Sequence, residues 1–250
     1  MPRHRLSPIA ALLVVLLATI AGCTRPSGVA PWPAAATRPP RTGVASSEIY
    51  SQLFAGQLAS QRYSDASGAV VVENTTRESE TLLRVERLLV LADDTPTTSL
   101  GTRWFSANPN GEILLRRSYN PQRDIEIVYD PALVVAPETL QPGEAHASES
   151  AITSFEGNSR QTGSAAYELE LVGERLAPGG TRETHIRSTL VLSLGRSTVT
   201  RRTDRLLSVD ASGSSTVLRE DSLETVRVFG LTVGSTRRSL SSADAPSNAD

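Results

Sequence analysis

The sequence predicts a mainly β fold, an antiparallel meander or half-barrel with one N-terminal helix, set behind a signal peptide and a disordered linker. Three observations carry that expectation. Turn signals recur at short intervals from Ser67 to Ser239, and the runs between them alternate apolar and polar residues with a strand's two-residue period. No long helical pattern interrupts these runs, so parallel crossovers are disfavoured.

At the N-terminus, Arg3, His4 and Arg5 precede a short apolar run from Ile9 to Ile20, then Ala21, Gly22 and Cys23. A basic start, a brief apolar segment and a small-residue exit are the layout of a secretory signal, here residues 1–22. The run is too short to cross a bilayer, which takes about 20 apolar residues.

Ile20-Ala21-Gly22-Cys23 resembles the lipobox of bacterial lipoproteins. The resemblance implies cleavage before Cys23 and acylation of its sulfur and its new amino group. Two or more acyl chains hold a protein stably on a membrane, whereas one gives marginal attachment. Thr24 follows the cysteine in place of the aspartate that marks inner-membrane retention in Gram-negative members. The implied address is therefore the outer membrane facing the periplasm, or otherwise the outer face of the plasma membrane.

Cys23 is the chain's single cysteine. With it acylated, no disulfide braces the fold and no thiolate is left as nucleophile or metal ligand. Stability then has to come from a core, and about 190 residues beyond the linker suffice for one domain or two small ones. Residues 23–47 read as the lipidated cysteine and its tether. Pro26, Pro31, Pro33, Pro39 and Pro40 lie among alanine, threonine and glycine, with little to bury. Such a segment reaches roughly 25–30 Å as a coil and roughly 70 Å in the polyproline form. Trp32 reads as an incidental solvated aromatic.

The β-rich domain is placed at 48–239. Ser46 and Ser47 cap a helix in which Ile49, Tyr50, Leu53, Phe54 and Leu58 share one face, ending by Arg62. Turns are expected at Asp65–Gly68, Asn108–Gly111, Glu156–Asn158, Ala177–Gly180 and Asp210–Gly213. Ala165, Tyr167, Leu169 and Leu171 form one strand face. Ile186, Leu190, Leu192 and Leu194 form another, with His185, Arg187 and Thr189 opposite. Leu83, Val85, Leu89 and Leu91 form a third. Pro131, Pro137 and Pro142-Gly143 mark 131–144 as an ordered crossing between two groups of strands. The polar tail 240–250 is expected to be disordered.

The segment Tyr129-x-Pro131-x-Leu133-x-x-x-Pro137-x-x-Leu140-x-Pro142-Gly143, followed by Gly173-Glu174 and Pro178-Gly179-Gly180, is similar to TapB-like β-rich periplasmic domains. That resemblance implies a half-barrel of the kind that carries lipoproteins and lipids. It departs from the pattern at Thr181 and Arg182, where an aromatic is expected, and in lacking a late Trp-Tyr pair.

The net charge is −2, and loss of Arg3 and Arg5 with the signal leaves −4, which offers no basic face for nucleic acid. Every basic residue except the histidines is arginine, so Schiff-base and phosphate-loop lysine chemistry is excluded. No nucleophile elbow, phosphate loop, dinucleotide fingerprint, zinc-protease or calcium-loop motif occurs. His146 and His185, the latter beside Glu183, read as solvated surface residues rather than metal ligands. Asp93-Asp94 and Glu220-Asp221 read as water-facing acids, although paired carboxylates can serve glycoside cleavage. Arg116-Arg117, Arg201-Arg202 and Arg237-Arg238 read as solvated faces or edge protection in preference to a lipid-headgroup site.

The functional expectation is a non-enzymatic, lipid-anchored envelope protein, with Cys23 as its lipidation site and no cofactor. Its β-rich domain would bind or scaffold an envelope protein or lipid partner. The alternatives are a carrier or chaperone for lipids or acylated proteins, and an envelope hydrolase.

Overall fold

The computed structural model describes residues 43–50, 59–65, 67–90, 96–177, 181–210 and 215–242. The described chain begins with β1 (Val44–Ala45) and the single turn α1 (Ser46–Ile49). Strands β2 (Ala59–Asp65), β3 (Val70–Arg77), β4 (Leu83–Val90), β5 (Pro96–Ala107), β6 (Ile113–Asn120) and β7 (Ile125–Ala136) follow. After the short β8 (Thr139–Leu140), the long hairpins comprise β9 (Ala145–Glu156), β10 (Ser159–Leu176), β11 (Arg182–Leu194), β12 (Ser197–Val209), β13 (Ser215–Val228) and β14 (Leu231–Ser242).

Among the described residues, β2–β7 and β9–β14 form a closed antiparallel barrel of twelve strands, each paired with its neighbours in sequence. Closure comes from β14 pairing with β2 through Leu240↔Asp65, Ser241↔Ser64 and Ser242↔Tyr63. The mainly β, antiparallel expectation holds, and the half-barrel is a full barrel.

The strand faces follow the sequence pattern. Cross-strand partners point the same way, so Leu171↔Ile186, Tyr167↔Leu190 and Ala165↔Leu192 put the predicted apolar faces of β10 and β11 together inside. The outward row of β10 carries Glu168 and Glu170, the reverse of the apolar-out pattern of lipid-facing barrels.

A barrel of eight strands is just filled by its own side chains, and one of sixteen leaves an aqueous channel. Twelve strands need added filling, and at one end the N-terminal segment supplies it. Val44 and Ile49 are buried in the main core, and Tyr50 packs its ring 5.7 Å from that of Phe105. β1 pairs with β8, Ser46 Oγ donates to the Gly111 carbonyl at 2.6 Å, and Arg182 bridges to Glu48 at 2.8 Å. At the far end lie the turns after β2, β6, β9, β11 and β13.

Four expectations change. Residues 44–47, expected in the tether, belong to the fold, because Val44 and Ser46 fill the barrel's end. The helix is one turn, and 59–62, expected at its C-terminal end, are strand; residues 51–58 lie outside the described region. Pro131 lies within β7 at a register break, where the β6 partner jumps from Val128 to Leu133 and a missing N–H breaks no ladder; only 137–144 forms the crossing. Leu240, expected in a disordered tail, is 1% exposed, since β14 needs its last residues to close the barrel.

Candidate functional site

Charged residues stand on the inward row of several strands. Glu73 follows Val71 on β3, and Arg87 lies between Val85 and Leu89 on β4. Arg103 lies on β5, Arg205 on β12, and Glu220 opposite Arg205 on β13. They meet beneath the plug. Arg87 holds Glu220 with two bonds of 2.6 and 2.9 Å, and Glu73 through Nε at 2.5 Å. Arg205 Nε donates to Glu220 at 2.8 Å.

Burial raises the carboxyl pKa of Glu220, but Arg87 and Arg205 outweigh it and hold the group well below its usual range. Glu73 shows the same balance between burial and Arg87 with Arg103. Burial, reinforced by Glu73, pushes the neighbouring Tyr63 phenol well up. The cluster lines a cavity of about 20 Å³, room for one water-sized particle. Sequence reading missed it, although the signal was present: a charge on the apolar parity of an alternating strand.

Towards the far end the interior is less well covered. Leu190, Leu192 and Leu194 face inward but are only partly buried. Arg201 faces inward beside Glu224, its side chain 50% exposed.

The outer wall carries a second group. His185 Nε2 lies 3.0 Å from Asp204 Oδ1, and Arg187 Nε donates to the same carboxylate at 2.9 Å. Burial raises the Asp204 pKa, but the hydrogen bonds from His185 and Arg187 and the Arg187 charge bring it below its ordinary value. Asp221 neighbours Asp204 across the strands and faces Arg219 Nη2 at 2.9 Å.

The third feature is the tip of the β13–β14 hairpin. Phe229 and Gly230 both have positive φ (52° and 80°), a two-residue turn in which asparagine is the usual first residue. Phe229 is 61% exposed and Leu231 72%. The Arg196 guanidinium covers one face of the Phe229 ring at 4.8 Å. Below the tip, Leu231 to Ser239 pairs with β13 on one side but has no ladder partner on the other among the described residues.

The predicted site residues are scattered. Cys23, Trp32 and Asp93-Asp94 lie outside the described residues. His185 is buried on the outer wall beside Asp204 rather than solvated, and His146 faces inward opposite Leu169. Glu220 and Asp221 point to opposite faces as adjacent strand residues must, but both are buried by their arginines instead of facing water. The arginine pairs share no single face. Arg117 stacks on Trp104 at 3.9 Å, Arg201 and Arg238 face inward, and Arg202 faces outward near Asp204 at 3.4 Å. Arg237-Arg238 sits on the unpartnered stretch of β14, where charge discourages indiscriminate edge pairing. In the segment from Tyr129 to Gly143, Tyr129, Leu133 and Leu140 are core residues. Among the described residues, no cluster of histidine and carboxylates is arranged to hold a metal ion, and no helix is long and apolar enough to cross a membrane.

No family model matches the chain, and neither a curated protein nor a solved structure matches it.

Proposed function

We propose that the chain is a lipid-anchored protein of the cell envelope whose barrel is a non-catalytic binding domain. It takes an extended segment of an envelope protein along the free edge of β14. The observation that carries this reading is the stretch from Leu231 to Ser239, without a second ladder partner among the described residues, beside the exposed Phe229 and Leu231. An open row of backbone donors and acceptors, flanked by apolar side chains, is what strand addition requires. Arg237 and Arg238 favour an acidic segment.

The direction of the tether supports it. The fold begins at the plugged end, so a linker from Cys23 would attach there and leave the β13–β14 tip pointing away from the membrane. Residues 24–42 would span about 60 Å in the polyproline form. With Thr24 after the cysteine, the outer membrane is the expected address.

Fractionation of a Cys23→Ser variant tests the anchor: loss from the membrane fraction is expected, and retention contradicts it. A photoreactive residue at Val233 tests the edge. One discrete adduct is expected from Val233 and none from Glu168 on the outer wall of β10; equal labelling from both positions contradicts the reading.

A second reading, a lipid or acyl-chain carrier, draws on the half-covered inward leucines of β11. Native mass spectrometry of the chain separates the two, since a carrier retains a lipid mass and an edge-binding domain does not.

A further inference from the structure

The buried cluster is unbalanced. Three guanidiniums, Arg87, Arg103 and Arg205, and two carboxylates, Glu73 and Glu220, line one cavity, leaving one positive charge in excess. The excess resides on Arg103. Arg87 and Arg205 bond their glutamates directly, while Arg103 comes no closer than 4.0 Å to Glu73 and, among the described residues, makes no hydrogen bond. Its other contact is the Phe105 ring at 5.9 Å. A guanidinium has five N–H donors, and on Arg103, 30% exposed, those that no protein group takes face solvent or the cavity, where an anion can accept them. Phe105, Val85 and Val217 supply the cavity's apolar walls.

We propose that this cavity is a binding site for a single monoanionic group, held by Arg103 with Tyr50 and Tyr63 beside it, which neutralises the cluster. The volume of about 20 Å³ admits a halide ion or the head of one carboxylate, not a phosphate ester. Arg103 keeps 30% of its side chain exposed, so the site is reachable from solvent. Burial and the neighbouring Arg87 charge lower the Arg103 pKa to about 10, in keeping with a site short of negative charge. The anion has two sources, free halide in the medium or the carboxylate of an amphiphile whose chain lies against Leu190 and Leu192. The site does not depend on the edge of β14, so it stands or falls separately from the proposed function.

The test is thermal unfolding of the full chain in sodium chloride against sodium gluconate at fixed ionic strength, which holds general screening constant. A ligand that binds only the folded state raises the midpoint by equal steps for each tenfold rise in concentration above its dissociation constant. That dependence on chloride is expected in the native chain, kept in Arg103→Lys and lost in Arg103→Gln. Sodium decanoate added in gluconate distinguishes the sources. An Arg103-dependent rise with decanoate assigns the site to an amphiphile's carboxylate, and a rise with chloride alone assigns it to the halide. No rise with either anion, or an equal rise in Arg103→Gln, overturns the proposal. If Arg103→Gln does not fold, a bromide-soaked crystal of the native chain decides, since absence of bromide and of any decanoate density beside Arg103 overturns it equally.

Discussion

At the scale of single residues, Glu220 is the most consequential side chain in the barrel. It receives Arg87 through two bonds and Arg205 through a third, and is 4% exposed. Removing one partner of a buried ion pair leaves the other charged and desolvated, at a cost of about 3–5 kcal/mol. Glu220→Gln should therefore lower stability by about that amount in denaturant unfolding. The same residue sets the acid limit. Its folded pKa lies below its ordinary 4.5, so the native state binds fewer protons than the unfolded chain in that range. The stabilisation is fully present above the unfolded value and is lost as pH falls towards the folded one. Unfolding midpoints should be level above about pH 5 and fall below about pH 4.5, less steeply in Glu220→Gln. Phe229 is the opposite case, a residue that costs stability. Its positive φ costs about 1–2 kcal/mol in an ordinary residue, whereas an exposed cation–π contact such as that with Arg196 returns about 0.5–1. Phe229→Asn should raise stability by about 0.5–1 kcal/mol while abolishing the adduct from Val233, the behaviour of a residue kept for contact rather than folding.

At the scale of elements, the β10–β11 hairpin fixes the spacing of the long strands. Gly163 pairs with Leu194, and a Cβ built there would stand 2.0 Å from the Ser193 carbonyl oxygen, a backbone atom that cannot swing aside. Gly163→Ala should destabilise by at least about 1–3 kcal/mol, measured by denaturant unfolding, with the hairpin's amides losing exchange protection first. This hairpin also shows what was legible beforehand. The inward rows Ala165–Leu171 and Ile186–Leu194 were readable because alternation alone assigns a strand's faces. Asp65–Gly68, Asn108–Gly111 and the Gly157 turn were readable from their turn residues, while Phe229-Gly230 was not, because phenylalanine carries no turn signal. The helix start at Ser46 was legible from its cap and Glu48, whereas the strand at 59–62 was not, because its pairing with β3 is set by partners distant in the fold. The ion cluster escaped because its five members lie far apart in sequence and are joined only by closure. Arg87 interrupts the Leu83, Val85, Leu89 face, and a charge in that position was the one local sign of a polar interior.

At the scale of the whole molecule, two facts organise the barrel. The N-terminal segment fills one end, and among the described residues the first and last barrel strands meet over three residue pairs, fewer than any other junction in the barrel. The open stretch follows from the register: Asp65, the last residue of β2, pairs with Leu240, so Leu231 to Ser239 passes the β2–β3 turn with no partner among the described residues. Closure and the free edge are thus one geometric event. If β2 were longer, the edge would be covered and the proposed binding strand lost.

Amide hydrogen exchange resolved along β14 tests this account most directly. Slow exchange is expected at Leu240 and Ser241, where the strand is paired on both sides, and alternating fast and slow exchange from Leu231 to Ser239, where only amides facing β13 are bonded. Uniform protection along the strand would mean that the edge is covered, and fast exchange through Ser241 would mean that the barrel is open; either result contradicts the account.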